Sequence, residues 1–257
     1  MPCSNRKRTW MITELFLKGR LRDAISVDDR AALETAIEDV IEVEGPRRLV
    51  SRAEEVEVSY YLVDGYMARY LDDKRGYRQS VGFQVPGDWV DLHSFPMKRL
   101  DHDVVPLDRA KVAIFRHDRL RELIDGNPRL TRILWFSTLL DAAMIREWIF
   151  RLGRLSAEGR IAHFICELIE RMRFIERYDG TFFPVPLKQS DFAEACGVSP
   201  VHANRTFKLL RDRGLVAASE GAGGMRILDE DGLRRLGEFR GDYLYGEGDL
   251  KLQQPFG

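Results

Sequence analysis

Cysteine is scarce: Cys3, Cys166 and Cys196 are widely separated among 257 residues and show no CxxC spacing. That pattern excludes a secreted disulfide framework and points to a reducing cytoplasm. Neither charge is in excess, since 40 Lys and Arg face 41 Asp and Glu for a net charge of -1. No chain-wide basic surplus therefore advertises nucleic acid, although a DNA reader needs basic groups only on its contacting face. Long apolar runs are missing too. The neighbourhoods at 133–140 and 161–169 are broken by polar residues and too short for a bilayer, so no membrane partner is expected. The basic start MPCSNRKRTW leads into an amphipathic stretch, which excludes a secretory signal. No nucleophile elbow or HExxH occurs, and Gly221 to Gly224 lacks the lysine of a P-loop, so an enzyme and catalytic residues are not expected.

What is present is concentrated in residues 187–214, LKQSDFAEACGVSPVHANRTFKLLRDRG. Phe192, Ala193 and Cys196 recur at helical spacing up to Gly197, a residue suited to the left-handed conformation that ends a helix. Ser199 as N-cap and Pro200 at the first helical position start a second helix, which Gly214 stops. On that helix Ala203, Phe207 and Leu210 form an apolar stripe, while His202, Arg205, Lys208 and Asp212 face the other way. Arg bonds bidentately to guanine and Lys pairs with phosphate, so the second face suits a DNA major groove. A generic amphipathic helix pair is the alternative reading of this stretch alone.

The rest of the chain falls into blocks. Helical spacing from Thr9 to about Ala36, with Trp10, Leu15, Leu17, Leu33 and Ile37, predicts an N-terminal cover, capped at Ser26 or Asp28. Over 40–115 the period becomes two, in short runs such as DVIEVE, EVEVSYYLV, GYMARYL and QSVGFQV. Turn signals at Gly45-Pro46, Asp64-Gly65, Asp72-Asp73 with Gly76, Pro86-Gly87 and Pro106 predict an antiparallel, jelly-roll-like β-roll. A short helix, HDRLRELIDG, breaks at Asn127-Pro128. A long one follows to about Leu152, with apolar residues on two faces. Such a helix is buried on both sides, against the roll and against its copy in a second subunit, with Leu134, Leu140, Met144, Trp148 and Leu152 as the candidate dimer contacts; burial within one subunit is the alternative. Residues 153–159 read as a hinge. LVAAS and GMRILD around residues 220–224 read as a two-stranded wing, with Arg226 as a backbone contact. The resulting class is α+β, with these divisions: 1–127 cover and roll, 128–156 long helix and hinge, 157–241 winged helix-turn-helix, 242–257 tail.

In that order, and through VPGDWVDLHSF, LDAAMIREWIFRLGRLSAEGRIAHFICEL and SPVHANRTFKLLRDRGLV, the chain resembles the Crp/Fnr family of bacterial transcription regulators. The resemblance implies a homodimer on a pseudo-palindromic operator in double-stranded DNA, its recognition helices about 34 Å apart, and makes RNA polymerase a further candidate partner. The family commonly reads bases with a Glu near the start of the recognition helix and an Arg four residues later. Arg205 matches that Arg, but the Glu position is Val201 and the preceding, often basic, position is Pro200. His202 and Asn204 become local alternatives. Ser199 and Gln189 stand where the family contacts phosphate, and Lys208 is a further backbone contact.

The family's cyclic-nucleotide binders carry a Gly-Glu pair and then an Arg-Ser pair after this PGD turn. Here the pairs align with Asp91-Leu92 and Leu100-Asp101, so tight binding of a cyclic nucleotide is not expected. A shift of one or two positions brings Arg99 into play. Asp91, His93, Leu100, Asp101 and His102 form a candidate effector loop, whose scattered His and Asp are expected to face solvent rather than hold a metal. An iron-sulfur cluster is not expected, because Cys166 and Cys196 lie on apolar helix faces. No cofactor is expected. A second functional class stays open, an effector-sensing module whose winged helix contacts proteins instead of DNA.

Overall fold

The computed structural model describes residues 11–20, 25–183, 185–218 and 224–246. Helix α1, Val27–Ala36, starts at a capping box in which Ser26 and Asp29 satisfy each other's backbone amides. The helix expected from Thr9 is replaced, over residues 12–20, by successive i to i+3 turns. Leu17 and Gly19 take positive φ there, and Glu34 accepts the amides of Ile12 and Thr13. Local apolar spacing is thus overridden by an acceptor on α1. Thr9 and Trp10 lie outside the described residues.

Six strands form two antiparallel three-stranded sheets: β1 Asp39–Glu44, β6 Arg109–Arg116 and β2 Val58–Asp64 in one, β4 Arg78–Gln84, β3 Met67–Asp72 and β5 Asp103–Pro106 in the other. Gly65, at φ +82, carries the chain between sheets where a Cβ would sit 2.4 Å from the Arg109 carbonyl. Pro106 does not break the roll. It ends β5 opposite Met67, on an edge strand, where a missing N–H leaves no ladder bond unmade. Tyr61, Trp89, Phe16 and Phe115 pack under the first sheet with ring centroids 4.6–6.3 Å apart. A short helix, α2 Ser94–Met97, lies between β4 and β5.

After α3, His117–Gly126, the side chain of Asn127 caps α4, Pro128–Arg154, by accepting from the Leu130 amide. The hinge contracts to Leu155 and Ser156, because α4 runs on to Arg154 and Ser156 caps α5, Ala157–Phe174. Packing crosses this joint: Phe83 of β4 and Trp148 of α4 both meet Phe164 of α5 edge-on, at 5.8 and 5.4 Å. Polar groups cross it as well. Glu167, fully buried on α5, accepts from Trp148 Nε1 at 3.0 Å, and Arg171 pairs with Asp88 and donates to the Phe83 carbonyl at 2.9 Å. Buried charges of this kind persist only when partnered, so their geometry fixes how α5 lies on the roll. The tail also begins by packing. Residues Gly241–Leu244 form a 3-10 helix with Leu244 buried and Tyr243 Oη donating to Glu167 at 2.8 Å; residues 247–257 lie outside the described residues.

Candidate nucleic-acid interface

Helix α6, Gln189–Cys196, ends at Gly197 in the left-handed conformation, and α7, Pro200–Asp212, begins where Ser199 Oγ accepts the His202 amide. The two helices cross with Phe192 and Phe207 edge-to-face at 4.9 Å over buried Ala193 and Ala203. Burying each ring stabilises the pair by about 1.5–3 kcal/mol. The outward face of α7 then carries Val201, His202, Asn204, Arg205 and Lys208, all exposed, with Val201 at 63 %. Asn204 donates to Gln189 Oε1 at 3.0 Å, which links the two helices at their exposed edge. Strands β8 Val216–Ala218 and β9 Met225–Ile227 pair as the wing, with Arg226 exposed. A third strand was not anticipated: β7, Phe182–Phe183, adds to β9. Its alternation is only two residues long, too short for a period. The expected turn at residues 219–223 lies outside the described residues.

On α4 the residues expected for dimer contact are largely covered by the chain itself. Leu134, Leu140 and Trp148 are buried in the chain's own core and Met144 and Leu152 are half-buried. The exposed apolar stripe is instead Trp135, Leu139, Ile145, Ile149 and Phe150. Apolar residues on two faces do not reveal which face the chain itself covers. Here the indole of Trp148 is drawn inward by Glu167.

The effector loop is also unlike its expectation. Asp91 is fully buried, accepting from the Tyr60 amide at 2.6 Å and Ser94 Oγ at 3.3 Å, and burial pushes its carboxyl up to about 7. Leu100 packs in the roll core, so it presents no group to an anion. His102 is buried beside exposed Asp101, whose carboxylate lies 2.8 Å from Nδ1, and the His93 ring is 5.3 Å from that of His102. Arg69 is the buried cation here, donating to the Val90 carbonyl and to Asp141 of α4, while Arg99 is exposed, its backbone paired with that of Glu55. Folding of the loop back over the sheet edge, invisible in its composition, buries these polar groups. Among the described residues no group of three or more His, Cys, Asp and Glu is placed to hold a metal ion. Burial raises the thiols of Cys166 and Cys196 to about 12 and about 11, which leaves them protonated small hydrophobes.

Burial, and then Arg69, push His93 down to about 4, and burial lowers His102 as well. Held below its ordinary value, His93 gives stability that is full above pH 6.5 and is lost as pH falls towards about 4, and His102 acts in the same direction. Asp91 works in the opposite sense, its contribution lost as pH rises through about 7. His93→Asn is therefore expected to lessen the loss of stability on acidification, read as urea midpoints between pH 6.5 and about 4.

A β-roll, a long helix with an exposed apolar stripe and a winged helix-turn-helix with a basic outer face define the architecture of a winged-helix protein. The Crp-like helix-turn-helix domain family matches residues 159–236. The chain is 27% identical over 177 residues to the nitrogen fixation regulation protein FixK of Bradyrhizobium diazoefficiens, covering 68% of this chain and 73% of that one. It is 28% identical over 188 residues to the transcriptional activatory protein AadR of Rhodopseudomonas palustris, covering 72% and 76%. The solved structure of FixK2 from Bradyrhizobium japonicum shares the fold at a TM-score of 0.70 and 21% identity, over 77% of this chain and 96% of that one. Residues 159–236 thus carry a Crp-like helix-turn-helix domain, and the chain as a whole resembles regulators of the Crp/Fnr family in sequence and fold. No helix among the described residues is long and apolar enough to cross a membrane.

Proposed function

We propose that the protein is a homodimeric, sequence-specific DNA-binding transcription regulator. The observation that carries this is the outer face of α7: Arg205 and Lys208 are exposed, and among the described residues neither is within ion-pair distance of a carboxylate. A guanidinium free of intramolecular partners is available to the acceptor edge of guanine, and an ammonium to phosphate. Gln189 and Ser199 at the helix starts and Arg226 on the wing frame that face for the phosphate backbone, with His202 beside Arg205 as a second reader. The relatives named as regulators of nitrogen fixation and of transcription support the same reading. Two chains pair through the exposed stripe of α4, which places the two α7 helices on successive major grooves. RNA polymerase is the partner through which such a dimer regulates.

Leu100 lies in the roll core and Arg69 is engaged by Asp141, so at the positions aligned with the cyclic-phosphate site no free cation stands among the described residues, and control does not run through tight cyclic-nucleotide binding. Selection of bound sites from random DNA tests the reading; recovery of no salt-sensitive, sequence-dependent site by the full chain sinks it. Val201 makes a further prediction. Its exposed methyls suit the thymine methyl group, whereas a Glu accepts from cytosine N4. Val201→Glu is expected to replace thymine by cytosine at one position of each selected half-site, checked by sequencing the selected pool.

A further inference from the structure

The turn of the helix-turn-helix is held by more than its own two helices. A helix ends with carbonyls that have no intrahelical partner. At the end of α6 three of these are taken up from three other elements. Gln79 Nε2 of β4 donates to the Glu194 carbonyl at 2.6 Å, Arg151 Nη2 of α4 to Ala195 at 3.0 Å, and Arg160 Nη1 of α5 to Cys196 at 3.4 Å. Gly197 completes the joint. Besides its positive φ, a Cβ there would lie 3.3 Å from Leu152 Cδ2 and 3.5 Å from Gln79 Oε1.

Arg151 is the unusual member. It is fully buried, its guanidinium 4.3 Å from the Trp148 ring centroid and 4.9 Å from that of Phe164, with Nε and Nη1 unpartnered. A buried cation is costly without compensation, and the negative end of the α6 dipole supplies it here. Packing of Trp148, Phe83 and Phe164, with the bonds of Glu167 and Arg171, already holds α5 against the rest of the chain, but none of these contacts reaches the end of α6 and the turn that leads into α7. Hydrogen bonds onto specific carbonyls add an angle.

We propose that Gln79 and Arg151 clamp the C-terminal end of α6 and so set the angle between each recognition helix and α4, making them positioning residues for the half-site spacing the dimer accepts. The proposal rests on the reading of the protein as a dimeric DNA binder. Because one donor comes from the roll and the other from α4, a rearrangement between roll and α4 reaches the recognition helix directly at this turn.

The test uses the full chain and operator pairs selected with variable spacers. Gln79→Leu is expected to lower the preference for the best spacer over its one-base-pair neighbours by about fivefold, the worth of one neutral hydrogen bond, and Arg151→Met by about tenfold or more because its donor is charged, while affinity for a single half-site stays within about twofold. A parallel fall in half-site affinity, or an unchanged spacer profile, overturns the proposal. Gln79 is half-buried and opens no core cavity, so it decides alone if Arg151→Met does not fold. A DNA-free readout accompanies it: spin labels at Lys208→Cys and Tyr77→Cys, both exposed positions, in a Cys3→Ser background with Cys166 and Cys196 buried. The distance distribution should broaden in Gln79→Leu, and an unchanged width overturns the clamp. If the wild type selects no DNA, the functional reading fails and the label distances alone judge the clamp.

Discussion

Arg205→Ala should remove most of the sequence preference of DNA binding while leaving weak, salt-sensitive binding to any sequence. A bidentate Arg–guanine contact discriminates by about 1–3 kcal/mol, and a dimer makes two, so the specific affinity should fall by about a thousandfold. Arg205 is exposed and packs against nothing in the core, so the melting temperature should not move. Lys208→Ala makes the contrast. Loss of a phosphate contact weakens binding to all sequences alike and reduces the slope of affinity against salt by about one per protomer. Titrations of selected and scrambled duplexes at several salt concentrations separate the two. Equal losses on both duplexes for Arg205→Ala would show that this side chain reads no base.

Charge placed on the free stripe of α4 should separate the subunits. Ile149 is 67 % exposed in the single chain, and burying an isoleucine stabilises by about 1.5–3 kcal/mol, twice over in a symmetric pair. Ile149→Asp replaces that gain with two facing carboxylates, so sedimentation should show monomers with the circular dichroism of the wild type. Trp148→Ala, one residue away, should behave differently. Trp148 is 5 % exposed and bonded to Glu167, and its removal should cost about 3–5 kcal/mol of stability, read by denaturant unfolding. A dimer that survives Ile149→Asp would remove this stripe from consideration.

The helix boundaries were legible where capping chemistry is local. Ser26, Asn127-Pro128, Ser156, Gly197 and Ser199-Pro200 all sit at helix ends, because each satisfies or releases a backbone group within three residues. Strand periods were legible too, and so was the outward face of α7, since Ala203, Phe207 and Leu210 mark the buried side. Partners distant in sequence were not. Glu34 replaces an N-terminal helix by turns, Glu167 turns Trp148 inward, and Arg69 and the sheet edge bury Asp91 and His102. Each depends on a group tens of residues away or on an adjoining strand. Helical spacing reports that α4 is apolar on two sides; only the fold assigns one side to the roll and leaves Trp135 and Ile149 outside.

That assignment equips the chain with an optical reporter of its own assembly. Of the tryptophans within the described residues, Trp89 and Trp148 are buried and Trp135 is 59 % exposed on the stripe. An indole moved from water into an apolar contact emits at shorter wavelength, so dilution of a dimer joined along α4 should red-shift the emission of Trp135 alone, and Trp135→Phe should silence that change while Trp89 and Trp148 continue to report unfolding.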